Sequence, residues 1–429
     1  MGLINDRLRA YRSLLNQKMK AAQWFQIPVW ADMLGFIGGM DGKYPKSVPF
    51  GATRTRTLRP TYKPIEVLTD FQHQGGWEMD IPIGYPFTEE AIYGDNPAMG
   101  AEEHRKWAYN KAIINRVRKS ALRRDGLMGE HALNASLVMD IMKQNKEEFV
   151  EFNQKWQGWA PYDALTRRFS RNILASKQDG GFGNTFSQQS HPNFYVAGYG
   201  PVTFSDTPAT YETAVATGLD SLSNTDTDKF KAQTIKNAVL YAGRKKITAT
   251  TVGSMKIKLC GVISDAQAHQ LYEDDEWKNN HIALTYKEGD KTPFFTGNIS
   301  AYLAFGCLLI VDSNAPGVWT SGDDSYDSTR GTVNYGNSNP IANPIMESDR
   351  KLAFFFGASA VMCGFAKSLQ FKSMDWDYGS KEGEASDNIV GYNRSDIYDN
   401  DGFFGTANNF KENTSSLIVG TFSPNNPSW

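Results

Sequence analysis

The stretch Trp77-Glu-Met-Asp-Ile-Pro-Ile-Gly-Tyr85 alternates without a break. Trp77, Met79, Ile81, Ile83 and Tyr85 fall on one side, and Glu78, Asp80, Pro82 and Gly84 on the other, the period of two of a half-buried strand. Pro82 has no N–H to give to a ladder, which places the strand at a sheet edge. A turn with Gly94, Pro97 and Gly100 follows, and then Trp107, Tyr109, Ile113 and Val117 alternate with polar or small residues. Together these read as a long hairpin. Two strands alone are barely stable in water, so the hairpin must lie against something.

Before the hairpin, residues 6–22 carry Leu8, Tyr11, Leu15 and Ala22 on one stripe and read as a helix. From Gln26 to Pro64 the chain holds Pro28, Pro45, Pro49 and Pro60 and no clear period, which suits an extended arm that finds its partner outside its own domain. After the hairpin, Leu133, Leu137, Ile141, Phe149, Phe152 and Trp156 recur at helical spacing, a helix over 133–156 of about 36 Å. Pro161 then predicts a break and a second helix over Tyr162–Ala175. Residues 178–224, rich in Gly, Ser, Thr and Asn, read as loop-dominated, with another helix over Asp226–Ala242. Beyond it the chain is β-rich: Met255, Ile257 and Leu259 alternate with lysines, and Ser264 caps a short helix through Tyr272. Short strands are expected at Ile282–Tyr286, Leu308–Val311, Gly331–Tyr335, near Phe371 and at Leu417–Thr421, with an apolar helix at Lys351–Phe365.

The 429 residues suffice for two to four domains, and a 40 % hydrophobic, 21 % charged composition excludes a disordered polyelectrolyte. The three cysteines, Cys260, Cys307 and Cys363, lie apart in apolar runs and read as buried thiols. No apolar stretch reaches the roughly 18 residues of a membrane span. The start, Met1-Gly2-Leu3-Ile4-Asn5-Asp6-Arg7, has no secretory apolar region, and the expectation is a soluble, intracellularly made protein without a membrane partner.

A net charge of −2 hides a segregation, because residues 1–176 balance at +6 and the remainder at −8. Lys43–Lys63 holds six Lys/Arg and no acid, and Arg105–Arg124 holds eight and no acid. Such runs can neutralise phosphates, pair with the acidic half of another copy, or form a solvated face.

The motifs of phosphate loops, dinucleotide folds, zinc proteases, cysteine-zinc sites and nucleophile elbows are absent. The six histidines are scattered and read as surface or structural. From Asp396 an EF-hand register puts Asp401 where Gly is needed, and from Asp323 it puts Ser328 there, so both fail. Catalytic residues, cofactors and metals are therefore not expected. Aromatic richness and acidic loops leave a carbohydrate- or calcium-binding β-rich enzyme or binding module as the competing reading.

Taken in order, several segments resemble the major capsid proteins of tailed bacteriophages, in the branch shared by crAss-like and related short-tailed phages. Gly94-Asp-Asn-Pro-Ala-Met-Gly-Ala-Glu-Glu103 is similar to that family's GDxxLEGxEE turn, with Ala98 and Met99 in place of Leu and Glu. Met255–Cys260 with Asp265–Trp277, Phe295–Ser300 leading to Leu308–Val311, Phe356–Ala360, Trp376–Gly379 and Gly391 resemble later segments, and Asn393-Arg394 stands where the family usually has Lys. The resemblance implies an α+β Hong Kong 97-type capsid fold. Residues 1–60 would be the N-terminal arm and 61–125 the extended hairpin, or E-loop. Residues 126–245 would be a peripheral domain with spine helix 133–156 and a loop-rich insertion at 178–224, 246–350 the axial domain, and 351–429 the return to the peripheral domain and the tail. It further implies hexamers and pentamers forming an icosahedral shell assembled in a bacterial host's cytoplasm. Packaged double-stranded DNA, a portal and scaffold or decoration proteins would be the partners; another phage structural protein, of tail or decoration, is the nearer alternative. Candidate assembly contacts are Trp77, Met79, Ile81, Glu102, Glu103, Arg116, Arg118, Lys119, Arg123 and Arg124, and candidate arm contacts are Arg54, Arg56 and Arg59.

Overall fold

The structure, a computed structural model, describes residues 63–68, 77–84, 107–125, 135–167, 170, 191–202, 208–252, 255–278, 301–312, 349–376, 381–398, 410–413 and 415–424. In chain order the first elements are β1 (Ile65–Leu68), β2 (Glu78–Gly84), β3 (Trp107–Ile113), β4 (Asn115–Asp125), α1 (Ala135–Arg167), β5 (Phe194–Val196), β6 (Gly200–Val202), α2 (Pro208–Asp220) and α3 (Ala232–Arg244). They are followed by β7 (Thr250–Val252), β8 (Met255–Ile257), β9 (Leu259–Ile263), α4 (Asp265–Glu273), β10 (Ala301–Ala304) and β11 (Cys307–Val311). The last are β12 (Arg350–Phe356), β13 (Val361–Trp376), β14 (Lys381–Arg394), β15 (Ile397–Tyr398), β16 (Phe410–Glu412) and β17 (Ser416–Phe422). The helix expected at 6–22, the arm, the Gly94–Glu103 turn and the strands expected at 282–286 and 331–335 lie outside the described residues.

The alternating stretch forms the hairpin: β2 and β3 run antiparallel from Glu78 opposite Ile113 to Gly84 opposite Trp107. In the order β16-β15-β3-β2 the Pro82 strand is at the edge. The return arm differs from a single strand. It breaks at Ile114, whose N–H bonds the Trp77 carbonyl, and continues as β4 in another sheet, of order β1-β13-β14-β4. Asn393 fixes the break, accepting from the Ile113 N–H at 3.2 Å and donating to its carbonyl at 3.0 Å.

A seven-stranded sheet of order β10-β11-β9-β12-β17-β5-β6 forms the centre. Alternation along β12 sends Leu352, Phe354 and Phe356 into a core with α1 and α2, and Ala353 and Phe355 into a second core with α3 and α4. The sheet is thus covered on both faces, and β9 and the Leu352–Phe356 part of β12 are apolar and buried. That corrects the helix expected at Lys351–Phe365: a strand buried on both faces shows no period of two, and a short apolar run cannot be told from a buried helix by periodicity. Gly357 and Ser359, the latter at φ 52°, turn the chain from β12 into β13.

Two further expectations are revised. One 33-residue helix, about 50 Å long, replaces the two helices divided at Pro161. Proline inside a helix costs about 3 kcal/mol, but Trp156, Tyr162 and Leu165 are buried around it, each contributing about 1.5–3 kcal/mol, so packing outweighs the lost bond. Within 178–224, expected to be loop-dominated, β5, β6 and α2 bury Phe194, Val202, Tyr211, Val215 and Leu219. By contrast Ser264 caps α4 as expected, accepting from the Gln267 N–H at 3.3 Å while Gln267 Oε1 accepts from the Ser264 N–H at 3.0 Å.

Gly357 is needed for close approach. A Cβ there would sit 2.6 Å from Ile247 Cγ2, 2.7 Å from the Thr248 carbonyl oxygen and 2.9 Å from that of Ser415. Both oxygens are backbone and cannot turn away. Gly357→Ala is expected to destabilise the fold by about 1–3 kcal/mol, read as a lowered urea midpoint at unchanged slope; a midpoint within error of the parent would contradict the packing described.

Candidate assembly surface

The four-stranded sheet built on β13 and β14 presents two faces. One meets α1: the Trp156 and Tyr392 rings lie 6.0 Å apart, Phe149 and Phe371 6.2 Å, and Asn388 Nδ2 donates to Asn153 Oδ1 at 2.7 Å. The other carries a small apolar patch, Ala112, Ile114 and Met362, against which Met79 and Ile389 pack, and beyond it a charged ladder. There the basic strand β4 lies antiparallel to β14, with Arg118 opposite Asp387.

Asp387, 3 % exposed, is the centre of that ladder. Arg116 donates to it through Nε at 2.5 Å and Nη2 at 2.7 Å, Lys372 Nζ lies at 3.1 Å and Lys367 Nζ at 3.8 Å. Burial pushes the Asp387 carboxyl up, but Arg116 and Lys372 more than reverse it, and its pKa lies below the usual carboxylate value. Of the readings left open for this basic run, Arg116 thus pairs with the acidic half, but of its own chain. Arg118 and Lys119 are exposed, and Lys119 Nζ sits 5.3 Å from the centre of the Phe152 ring. Arg123 and Arg124 lie on β4 and Ile81 on β2 opposite Asn110; their side chains are outside the description. Trp77, at the foot of the hairpin, is 46 % exposed. Glu102, Glu103, Arg54, Arg56 and Arg59 lie outside the described residues.

A buried polar network ties the end of α1 and the start of β5 to the C-terminal strands. Arg394 and Asp396 are fully enclosed, with Nε–Oδ1 and Nη2–Oδ2 both at 2.8 Å, and Arg394 Nη1 donates to the Leu165 carbonyl at 2.8 Å. Asn413 donates to Asp396 at 2.9 Å, and its own oxygen accepts from the N–H groups of Ser415 and Ser416. His191 Nε2 lies 2.8 Å from Ser416 Oγ. Burial and the Arg394 charge hold His191 well below its ordinary pKa, so it is neutral. A serine beside a histidine could suggest a nucleophile, yet both residues are wholly buried and out of a substrate's reach.

Other titratable groups serve packing too. Cys260, Cys307 and Cys363 are buried thiols as expected, all raised by burial, Cys307 and Cys363 to about 12. Tyr162 donates to Asp312 at 2.5 Å. Asp274, from the acidic run 274–276, accepts from the Ala232 N–H at 2.8 Å and so closes the start of α3.

A third basic run went unnoticed in the sequence. From Lys229 to Lys258 there are eight Lys/Arg and no acid, as many as in Arg105–Arg124. It is masked by the −8 balance of residues 177–429 around it; a running count of charge along the chain, rather than one by halves, finds it.

No protein-family model and no curated protein matches the sequence. Solved structures do match in fold. The capsid of Ralstonia phage GP4 has 16 % identity, with 90 % of this chain and 96 % of that chain covered at a TM-score of 0.55. The cyanophage Pam1 capsid has 12 % identity, covering 90 % and 100 %, at 0.55. The acid-stable capsid of Helicobacter pylori bacteriophage KHP30 has 13 %, covering 89 % and 95 %, at 0.52. The chain therefore has a phage capsid fold.

Proposed function

We propose that the chain is a major capsid protein of the Hong Kong 97 type, assembling as hexamers and pentamers into an icosahedral head around the double-stranded DNA of a tailed phage. The observation that carries this reading is the likeness to phage capsid chains over about nine-tenths or more of both partners, which leaves little of the chain for another activity. The hairpin supports it: an edge strand with an exposed Trp77 at its foot is a surface that water does not favour and a second copy can cover. On this reading residues 1–60 are an arm, the β2–β3 hairpin within 61–125 reaches over neighbours while β1 and β4 stay in the chain's own sheet, and part of 246–350 lines the capsomer centre. Interfaces of this kind bury roughly 2,000–5,000 Å². Portal and scaffold or decoration proteins complete the shell in the bacterial host, and the order of the motifs supports the crAss-like and short-tailed branch.

The test is negative-stain electron microscopy with size-exclusion chromatography of the purified chain across salt and concentration. Rings, sheets or closed shells are expected. A uniform one-chain particle under every condition, with a crowding agent present, would sink the proposal.

A further inference from the structure

The third basic run brings Lys258 against the C-terminal end of α3, with Lys256 two residues before it. Arg244, Lys245 and Lys246 close the C-terminal end of α3, where Lys246 takes a positive φ of 55°. Lys256 lies on β8 and Lys258 at the bend between β8 and β9, and both side chains are exposed while Ile257 and Leu259 are buried. The two groups meet: Lys258 Nζ lies 3.9 Å from where a Cβ of Gly243 would be, and the Lys258 stem packs over Gly306. Arg244, Lys246, Lys256 and Lys258 are exposed and Lys245 is half-buried, its Nζ 5.8 Å from the Tyr241 ring centre.

Among the described residues, none of the five makes an ion pair. Their neighbours in the run do: Lys231 pairs with Asp226 and Lys236 with Glu276. Arg244 and Lys245 have a local use, since cations at a helix C-terminus contribute about 0.3–1 kcal/mol against the dipole. Lys256 and Lys258 lie off the helix and have none. Setting Lys258 against the cations that end α3 costs free energy unless an anion joins them.

We propose that this patch is a binding site for the phosphate backbone of nucleic acid, engaged without regard to sequence. Four of the five cations are lysines, which bind phosphates as point charges and are depleted at protein–protein interfaces. The charge geometry alone carries the inference; where the shell reading holds, the phosphates are those of the packaged DNA.

The experiment is binding of a short labelled DNA duplex of random sequence to the full chain, followed by fluorescence anisotropy across salt. Lys256→Gln with Lys258→Gln is expected to weaken binding roughly 50-fold at about 0.1 M salt and to lower the log–log salt slope by about 2. Lys256→Arg with Lys258→Arg should restore both. Both pairs of side chains are exposed, so thermal melts should stay within a few degrees of the parent. No binding by the parent chain at low salt overturns the proposal. So does a Gln variant with parental affinity and slope, which would put the phosphates elsewhere, or one that keeps DNA but loses self-association, which would make a second copy the partner. Microscopy of the same samples separates the two readings: DNA binding without assembly sinks only the shell, and assembly without DNA binding sinks only this site.

Discussion

Arg394→Ala is expected to cost about 3–5 kcal/mol, a large share of the roughly 5–15 kcal/mol that holds a folded chain together. The change leaves the Asp396 carboxylate wholly buried without its arginine, while the Asn413 amide still donates to it at 2.9 Å. It also frees the Leu165 carbonyl at the end of α1. The expected result is loss of soluble chain on expression at growth temperature, and a urea midpoint far below the parent where protein can be recovered. Arg394→Lys should fall between the two, because an ammonium keeps the charge but cannot make the paired contacts to Asp396 and reach Leu165 together. Removing both charges, Arg394→Met with Asp396→Leu, should recover part of the loss, since a buried ion pair contributes less than it costs to break. If Arg394→Ala melts like the parent, the network is not what joins α1 to the C-terminal strands.

How far these features could be read from the sequence depends on how local their causes are. The strand within Trp77–Tyr85, the edge placement of Pro82 and the Ser264 cap arise within a few residues, and the structure has a strand at Glu78–Gly84, at a sheet edge, and a cap at Ser264. β12 reads as helix in the sequence because its neighbours on both faces, contributed by α1, α2, α3 and α4, are what make Leu352–Phe356 apolar throughout. Pro161 marks a boundary on local grounds and loses to the burial of Tyr162 and Leu165, which is tertiary. Arg116 and Asp387 are 271 positions apart, and the pairing exists only because β4 lies beside β14. The buried network is assembled from residues 165, 191, 394, 396, 413 and 416, none of which announces itself by type or spacing. The basic patch is the exception. Its signal was present in the sequence and was hidden by averaging.

The same pairing gives the last expected result, which separates folding from assembly along β4. Arg116→Glu removes two charged hydrogen bonds from Asp387, each worth about 1.5–3 kcal/mol, and sets a second carboxylate beside it. Lys372 and Lys367 remain and soften the loss, so a destabilisation of about 3 kcal/mol is expected. Its pH dependence follows from the depressed pKa of Asp387. The stabilisation is fully present above the unfolded value, near 4, and is lost as pH falls through the folded value. Urea midpoints of the parent and the Arg116→Glu chain should therefore converge as pH falls from neutral towards 3, and a difference that is constant with pH would remove Asp387 as the cause. Arg118, opposite Asp387 on β4 but exposed, is expected to behave differently. Arg118→Glu should cost no more than about 1 kcal/mol, the scale of a cross-strand charge pair, yet fail to form rings or shells under the conditions where the parent does. Normal shells that hold less DNA would instead assign Arg118 to phosphates, and with it the direction in which this face of the sheet points.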